Sequence, residues 1–189
     1  MVQKKIFHTR TTIRPFLNSR MIKLFALFFF LFHSAGVHAE TIQGVVVKVY
    51  DGDTISIITP NMEECCIRLQ AVDAPEKDQP GYREAQIFLA KLLHGQTVHC
   101  VIDKLDKFNR TVGRLYLGET DVEYRLIRAG MAWHYEYYNQ EEKLAQAQKK
   151  AQAQKIGIWK QKNPIPPYQW RKMQEEKLLP EIQNFRNTP

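Results

Sequence analysis

Charged residues in three short segments of the chain could together cleave a phosphodiester bond. The segments are 49–54, 67–76 and 106–110, and they carry Asp53, Arg68, Asp73, Glu76 and Arg110. Carboxylates suit a hard divalent cation, and guanidinium groups bind phosphate oxygens in pairs of hydrogen bonds. If the three segments converge in the fold, the set is that of a metal-dependent nuclease.

The two aspartates are the candidate metal ligands. Asp53 follows an Asp51-Gly52 turn at the start of a predicted strand, and Asp73 lies at the end of the next strand. These ends can be neighbours in an antiparallel meander. Calcium tolerates loose oxygen coordination, so both carboxylates, the Ala74 carbonyl and waters would suffice. A plain hairpin turn explains Asp51-Gly52-Asp53 equally well.

The other three charged residues would act on water and phosphate. Glu76 could orient or deprotonate a water near Asp73, although a Glu after Pro is commonly a solvated loop acid. Arg68 lies on a strand and Arg110 ends a polar loop. Fixed guanidinium groups would offset the negative charge that grows on phosphate oxygens during displacement. A strand arginine often only extends its charge toward solvent.

Alternating hydrophobicity and turn signals predict five strands and three helices. The strands are expected at 44–50, 54–58, 64–72, 97–102 and 111–117, and the helices at 82–94, 122–129 and 140–156. Short antiparallel strands with a helix between the third and fourth are typical of an OB-fold barrel. The predicted class is therefore α+β, mainly a β-barrel with helices.

The chain divides into three expected regions, which are a leader at 1–39, the barrel domain at 40–160 and a Pro-containing extension at 161–189. Within the extension, 163–168 is expected to be extended and polyproline-like. Residues 169–179 could form a short terminal helix.

The basic start of the chain has the pattern of a secretory signal. Residues 1–39 hold six Lys or Arg and no acid, so the remainder has 21 basic and 20 acidic residues. The net charge of +7 is therefore no evidence for a nucleic-acid partner. An apolar run at 24–32 and small residues before Ala39 predict signal cleavage after Ala39. An uncleaved membrane anchor is the alternative, and translation could start at Met1 or Met21.

Three cysteines follow the leader, namely Cys65, Cys66 and Cys100. Export favours disulfides, and an odd count leaves one thiol over. Adjacent strand residues face opposite sides, so only one of Cys65 and Cys66 can meet Cys100 from a given face. A Cys65–Cys100 disulfide and three free thiols both remain open.

Together these segments resemble the staphylococcal nuclease family over roughly residues 43–159. The resemblance rests on motifs in a specific order and spacing: Asp51-Gly52-Asp53-Thr54, the charged positions of 68–76, 106–110, Arg128-Ala129-Gly130-Met131-Ala132 and Gly157-Ile158-Trp159. Segment 163–172 also resembles the tails of exported bacterial members. Asn109 replaces the Gly that commonly precedes the arginine, and Asn tolerates a positive φ.

The resemblance implies calcium-dependent, sugar-nonspecific cleavage of DNA and RNA that leaves 3′-phosphate ends. Under it, Asp53, Asp73 and the Ala74 carbonyl bind Ca²⁺, Glu76 matches the general base, and Arg68 and Arg110 clamp the phosphate.

Two further positions, Lys107 and Tyr138, fall where the family contacts a neighbouring phosphate. Aromatic residues nearby would suit a groove for bases, although core and rim packing explains them equally well: Phe108, Trp133, Tyr135, Tyr137 and Tyr138.

We therefore expect a secreted or periplasmic monomer that acts on DNA and RNA, with single strands preferred and no stable membrane association after cleavage. The alternative is a non-catalytic nucleic-acid-binding module of the same fold. All five charged positions are filled here, which favours catalysis.

Overall fold

A closed five-stranded barrel forms the centre of the protein. The computed structural model describes residues 40–186, with side chains described to residue 178. The strands are β1 Thr41–Val49, β2 Thr54–Ile58, β3 Glu64–Leu69, β4 Val72–Asp73, β5 Thr97–Leu105, β6 Thr111–Leu117, β7 Thr120–Asp121 and β8 Trp133–His134. The main sheet has the order β3-β2-β1-β5-β6-β7, and a parallel pairing of β3 with β6 closes the barrel.

Helices surround the barrel. The α-helices are α1 Tyr82–Leu93, α2 Val122–Arg128, α3 Glu142–Ala153 and α4 Pro167–Arg186, and a 3₁₀ helix spans Gly157–Lys160. The predicted α+β barrel is confirmed, with four α-helices in the described residues rather than three. No helix of the described range is long and apolar enough to cross a membrane. The predicted leader at 1–39 lies outside the described residues.

Several predicted elements differ in extent from the observed ones, and the first strand, predicted at 44–50, runs from Thr41 to Val49. The strand predicted at 64–72 ends at Leu69, because the chain turns there and Gln70 N–H donates to the Gly113 carbonyl at 3.0 Å. The strand predicted at 97–102 continues to Leu105 past an irregularity in its pairing with β6. The helix predicted at 140–156 is shorter, since α3 runs from Glu142 to Ala153.

The extension also differs from the prediction of an extended 163–168 segment. Helix α4 already begins at Pro167. Proline is well suited to the first turn of a helix, because its missing N–H has no partner there in any case and its φ is preset.

Alternate strand residues fill the barrel. Ile55, Ile57, Ile67, Leu69 and Leu115 are fully buried. Helix α1 covers one end of this core with further apolar side chains, Ala85, Leu89 and Leu93. Since side chains alternate along a strand, the register that buries these residues sends the intervening ones outward.

All three cysteines are free thiols in the structure, which therefore lacks the Cys65–Cys100 disulfide. The Cys65 sulfur instead lies 3.3 Å from the Thr111 hydroxyl. Burial raises the pKa of Cys100 to about 12, so this thiol stays neutral at physiological pH.

A partly buried ionic network connects α2 and the start of α3 to the barrel. Arg114 of β6 pairs with Asp121 at 2.6 Å, with Glu123 at 3.4 Å and with Glu141. Glu123 is fully buried and also accepts a hydrogen bond from Leu115 N–H at 3.1 Å. Burial raises the pKa of Glu123 to about 7, although Arg114 acts in the opposite direction.

Glu123→Gln should flatten the pH dependence of folding stability. The folded pKa of about 7 exceeds the ordinary value of 4.5, so between these values the folded state binds more protons than the unfolded state. Glu123 therefore lowers the free energy of unfolding as pH rises, by at most about 1.4 kcal/mol per unit. Urea unfolding at pH 5, 6 and 7 measures this slope. The exposed Glu119→Gln serves as control, and an equal slope in all three proteins would contradict the assignment.

Candidate active site

Asp53 is positioned by a tight turn that only a glycine fits. The Asp53 N–H donates to the Asp51 carboxylate at 3.0 Å, and Tyr50 N–H donates to the Thr54 carbonyl at 2.9 Å. A Cβ on Gly52 would stand 2.6 Å from the Ala74 methyl carbon. The Asp-Gly-Asp turn is thus packed directly against the segment that follows Asp73.

Asp73 is carried by a separate two-stranded pairing. β4 and β8 align Asp73 with Trp133, and Tyr135 N–H donates to the Ala71 carbonyl at 2.9 Å. The Ala74 N–H donates to Asp53 Oδ2 at 2.7 Å, which joins the two predicted metal-binding segments. Asp53 and Asp73 are 6% and 2% exposed, so both carboxylates are buried in adjacent positions.

Arg68 connects these two carboxylates. Its Nη2 lies 3.1 Å from Asp53 Oδ2 and 3.3 Å from Asp73 Oδ1. Its Nη1 donates to the carbonyl oxygens of Leu69 and Val72, at 2.5 and 2.9 Å. The guanidinium therefore does not extend toward solvent, and four acceptors fix its plane.

Burial disfavours the ionised form of both aspartates. It raises the pKa of Asp53 to about 6, against the lowering effect of Arg68 and with a smaller raising effect of Asp51. Burial also raises the pKa of Asp73, against the effects of Arg171 and Arg68. A site that holds two such carboxylates favours a bound cation, because a cation replaces the lost hydration of the charged forms.

Glu76 reaches the same cluster from the loop after β4. Its N–H donates to the Gln79 side chain at 2.9 Å. Its carboxylate accepts a hydrogen bond from Arg171, whose two terminal nitrogens also lie 3.1 Å from the two Asp73 oxygens. Sequence reasoning missed Arg171, because nothing but its place in the extension distinguished it from other basic residues.

Arg110 lies in the predicted loop and is held by that loop. Asp106 accepts from the N–H groups of Phe108 and Arg110, and pairs with the Arg110 guanidinium at 2.7 Å. Asn109 has a φ of 60°, which confirms that Asn replaces Gly at a left-handed position.

Strand pairing brings the end of the Arg110 loop close to Arg68, because Thr111 pairs with Ile67 and Val112 with Arg68. Burial raises the pKa of Cys66, whereas the nearby charge of Arg110 lowers it and that of Asp51 raises it. Cys66 and Arg68 are two positions apart on β3 and so share a face. Among the described side chains, there is no direct contact between Arg68 and Arg110.

The two predicted substrate contacts occupy different places. Tyr138 packs edge-to-face on Tyr135 and Tyr137, and Lys104 Nζ lies 4.8 Å from the centre of its ring. Burial, and then the charge of Asp73, raise the pKa of Tyr135, which links this aromatic group to the carboxylates. Lys107 instead covers the exposed Phe108 ring at 5.0 Å, on the Arg110 loop.

The donor set fits a hard cation such as Ca²⁺. A cavity of about 110 Å³ is lined by Asp51, Asp53, Ala74, Glu76 and their neighbours, and oxygen is the ligand that Ca²⁺ prefers. Among the described residues, no three His, Cys, Asp or Glu side chains already surround a single point. A cation would therefore depend on the aspartates, backbone carbonyl oxygen and water.

Comparison with known proteins agrees with this geometry. The family model described as staphylococcal nuclease homologue matches residues 66–161, about half of the chain. The chain belongs to the staphylococcal nuclease family. The matched residues include Arg68, Asp73, Glu76 and Arg110, whereas Asp53 precedes the match and Arg171 follows it.

Several relatives within this family resemble the chain over most of its length. A protein named uncharacterized endonuclease from Escherichia coli O157:H7 is 38% identical over 80% of this chain and 98% of its own. One of the same name from Haemophilus influenzae is 34% identical over 74% of this chain and 79% of its own. A staphylococcal-like nuclease from Arabidopsis thaliana is 33% identical over 56% of this chain and 33% of its own.

Arg68→Lys should destabilise the protein although it preserves the charge. An ammonium group cannot contact both aspartates and two carbonyl groups in one plane. We expect the free energy of unfolding to fall by about 1–3 kcal/mol, as for lost hydrogen bonds to charged groups. Denaturant unfolding near pH 7 measures the change. Arg125→Lys, on an exposed position of α2, is the matched control, and equal losses in both variants would refute the bridging role.

Proposed function

We propose that the protein is an exported, calcium-dependent endonuclease that hydrolyses DNA and RNA and leaves 3′-phosphate ends. The observation that carries the proposal is one contact network. Asp53 comes from the segment 49–54 and Arg68, Asp73 and Glu76 from the segment 67–76, and they meet at one edge of the barrel through direct or shared hydrogen bonds. A purely structural barrel has no need of three carboxylates joined through two arginines, Arg68 and Arg171.

The cation would be held by Asp53, Asp73 and the Ala74 carbonyl. When bound, Ca²⁺ supplies positive charge that polarises the phosphate and offsets the charge of the reacting oxygens. Asp53 is already oriented by hydrogen bonds from Ala74 N–H at 2.7 Å and from the Thr54 hydroxyl at 3.2 Å. This fixed orientation supports its role as a ligand.

The remaining charged side chains would act on the attacking water and the phosphate. Glu76, which is partly exposed, would accept a proton from the water as its oxygen bonds to phosphorus. The bond from phosphorus to the 5′ oxygen would then break, and this oxygen would leave as a hydroxyl with a proton from solvent, so that the phosphate stays on the 3′ oxygen. Arg68 and Arg110 would donate to the phosphate oxygens, whose negative charge grows in the transition state.

The surface around Tyr138 suits a single strand. Tyr137 and Tyr138 are 82% and 47% exposed, and Lys104 lies over one of the rings. Exposed aromatic faces stack on unpaired bases, and lysines nearby attract the backbone. The Arg110 loop carries a second pair of this kind, since Lys107 lies over the ring of Phe108, which is 68% exposed. We also propose that the protein acts as a monomer.

A non-catalytic nucleic-acid-binding module remains the second candidate, because a basic and aromatic surface alone would suffice for binding. It does not explain the buried aspartates, which without a cation would repel a phosphate. Catalysis therefore explains more of the observed arrangement.

Glu76→Gln should abolish most cleavage and leave the fold intact. The amide keeps the shape of the carboxyl group but cannot accept the proton of the water, so we expect a loss of about 100-fold or more in rate. Cleavage of a labelled single-stranded DNA, with calcium or with a chelator, measures the effect. The wild-type protein should be inactive in chelator.

The exposed Glu84→Gln on α1 is the matched control and should cleave like the wild type. Cleavage that persists in chelator would overturn the calcium assignment. Tight binding of the strand without cleavage under any divalent cation would favour the binding module.

The export proposal has its own test. If the leader is removed after Ala39, the protein recovered from its host should begin at Glu40 and lie outside the cytoplasm. Cell fractionation followed by N-terminal sequencing measures both. A mature chain that keeps its apolar run at 24–32 would instead indicate an anchor.

A further inference from the structure

Arg171 places a guanidinium group inside the carboxylate cluster. Its Nη1 and Nη2 each lie 3.1 Å from one oxygen of Asp73, and Nη1 also donates to Glu76 Oε1. These contacts join residues 98 and 95 positions apart. Arg171 follows the last residue of the family match at 161, so the contact comes from outside the matched region.

Two side-chain hydrogen bonds hold the extension against the loop that carries Glu76. The buried Gln79 side chain accepts from Glu76 N–H at 2.9 Å and donates to the Ile165 carbonyl at 2.6 Å. One side chain thus ties the Glu76 loop to the segment that leads into α4. Gln161 adds a second link, donating to the Pro80 carbonyl at 3.3 Å.

The start of α4 also borders the site. A cavity of about 460 Å³ lies between Pro166, Pro167 and Tyr168 on one side and the Asp73 region with Trp133 to Tyr137 on the other. Pro167 is itself buried. One turn further along α4, Arg171 is directed at the carboxylates, and its side chain remains 39% exposed.

The oxygens that Arg171 occupies are those that a cation would need. Asp73 Oδ1 is already shared with Arg68 at 3.3 Å, whereas the described contacts of Asp73 Oδ2 are with Arg171 alone. Arg171 also holds Glu76, the acid that would have to face a water. A guanidinium group and a divalent cation cannot occupy the same side of Asp73 together.

We propose that Arg171 is a built-in counter-cation that competes with the catalytic metal for Asp73 and at the same time holds Glu76, so that metal binding displaces Arg171 from the site. The inference rests on the proposed function, since it concerns the same carboxylates. With Arg171 in place, three carboxylates face two guanidinium groups. When Arg171 leaves the site, the three carboxylates face the guanidinium group of Arg68 alone. The Arg171 side chain is partly exposed and can therefore move into solvent.

The decisive measurement is calcium affinity, by titration calorimetry on the full chain as purified. Arg171→Gln should bind Ca²⁺ at least about tenfold more tightly than the wild type, because charge-assisted hydrogen bonds no longer compete. Arg171→Lys should fall between them, since an ammonium group cannot bond both Asp73 oxygens in parallel. Lys172→Gln, next along α4 and exposed, is the matched control and should behave like the wild type.

Hydrogen exchange gives a second readout of displacement. Calcium should accelerate amide exchange in residues 167–178 of the wild type, because Arg171 no longer holds the helix to the site. In Arg171→Gln this segment should exchange fast with or without calcium. If Arg171→Gln does not fold, the Arg171→Lys affinity and exchange decide the question.

The outcomes separate this inference from the proposed function. Calcium-dependent cleavage with unchanged or weaker calcium affinity in a folded Arg171→Gln would overturn the inference alone. If the same Arg171→Gln protein also cleaved DNA with a raised KM for the strand, Arg171 would be a substrate contact instead. Absence of calcium binding in both the wild type and the variant would overturn both.

Discussion

The structure depends on holding two buried carboxylates beside each other. Asp53 and Asp73 are nearly inaccessible, and burial raises the pKa of both. Two like charges in this position would repel one another and favour protonation. Arg68 relieves the repulsion by contacting both, and its own position is set by the pairing of β3 with β2, which aligns it with Thr54. The closed barrel therefore keeps the charged groups of Asp53, Asp73 and Arg68 in contact.

This constraint explains why the site lies where strands end rather than along them. Side chains inside the barrel are apolar and fully buried, and a charged group there would have no partner. Where β3 ends, the chain turns and leaves carbonyl groups of Leu69 and Val72 free to accept from Arg68. The same break directs Asp73 toward β8, and with it brings Tyr135 near the carboxylates.

Local patterns in the sequence predicted much of this fold. β2 and β6 have the predicted bounds, because strong alternation and clear turns are properties of neighbouring residues. The break in β3 and the pairing of β4 with β8 were missed, since they depend on contacts with Gly113 and Trp133 far along the chain. The proximity of Asp53 and Asp73 could be anticipated from strand ends, whereas the contact between Arg68 and both of them could not.

Arg171 shows most clearly which part of the site could not be predicted from the local sequence. Its helix carries many charged residues and has no pattern that singles out one arginine. What places it in the site is the hydrogen bond from buried Gln79 to Ile165, between residues 86 positions apart. A counter-charge for Asp73 was to be expected on physical grounds, because a buried carboxylate is rarely left unpaired. Which residue supplies it depends on the path of the extension, and that path is set by packing against the barrel rather than by the local sequence.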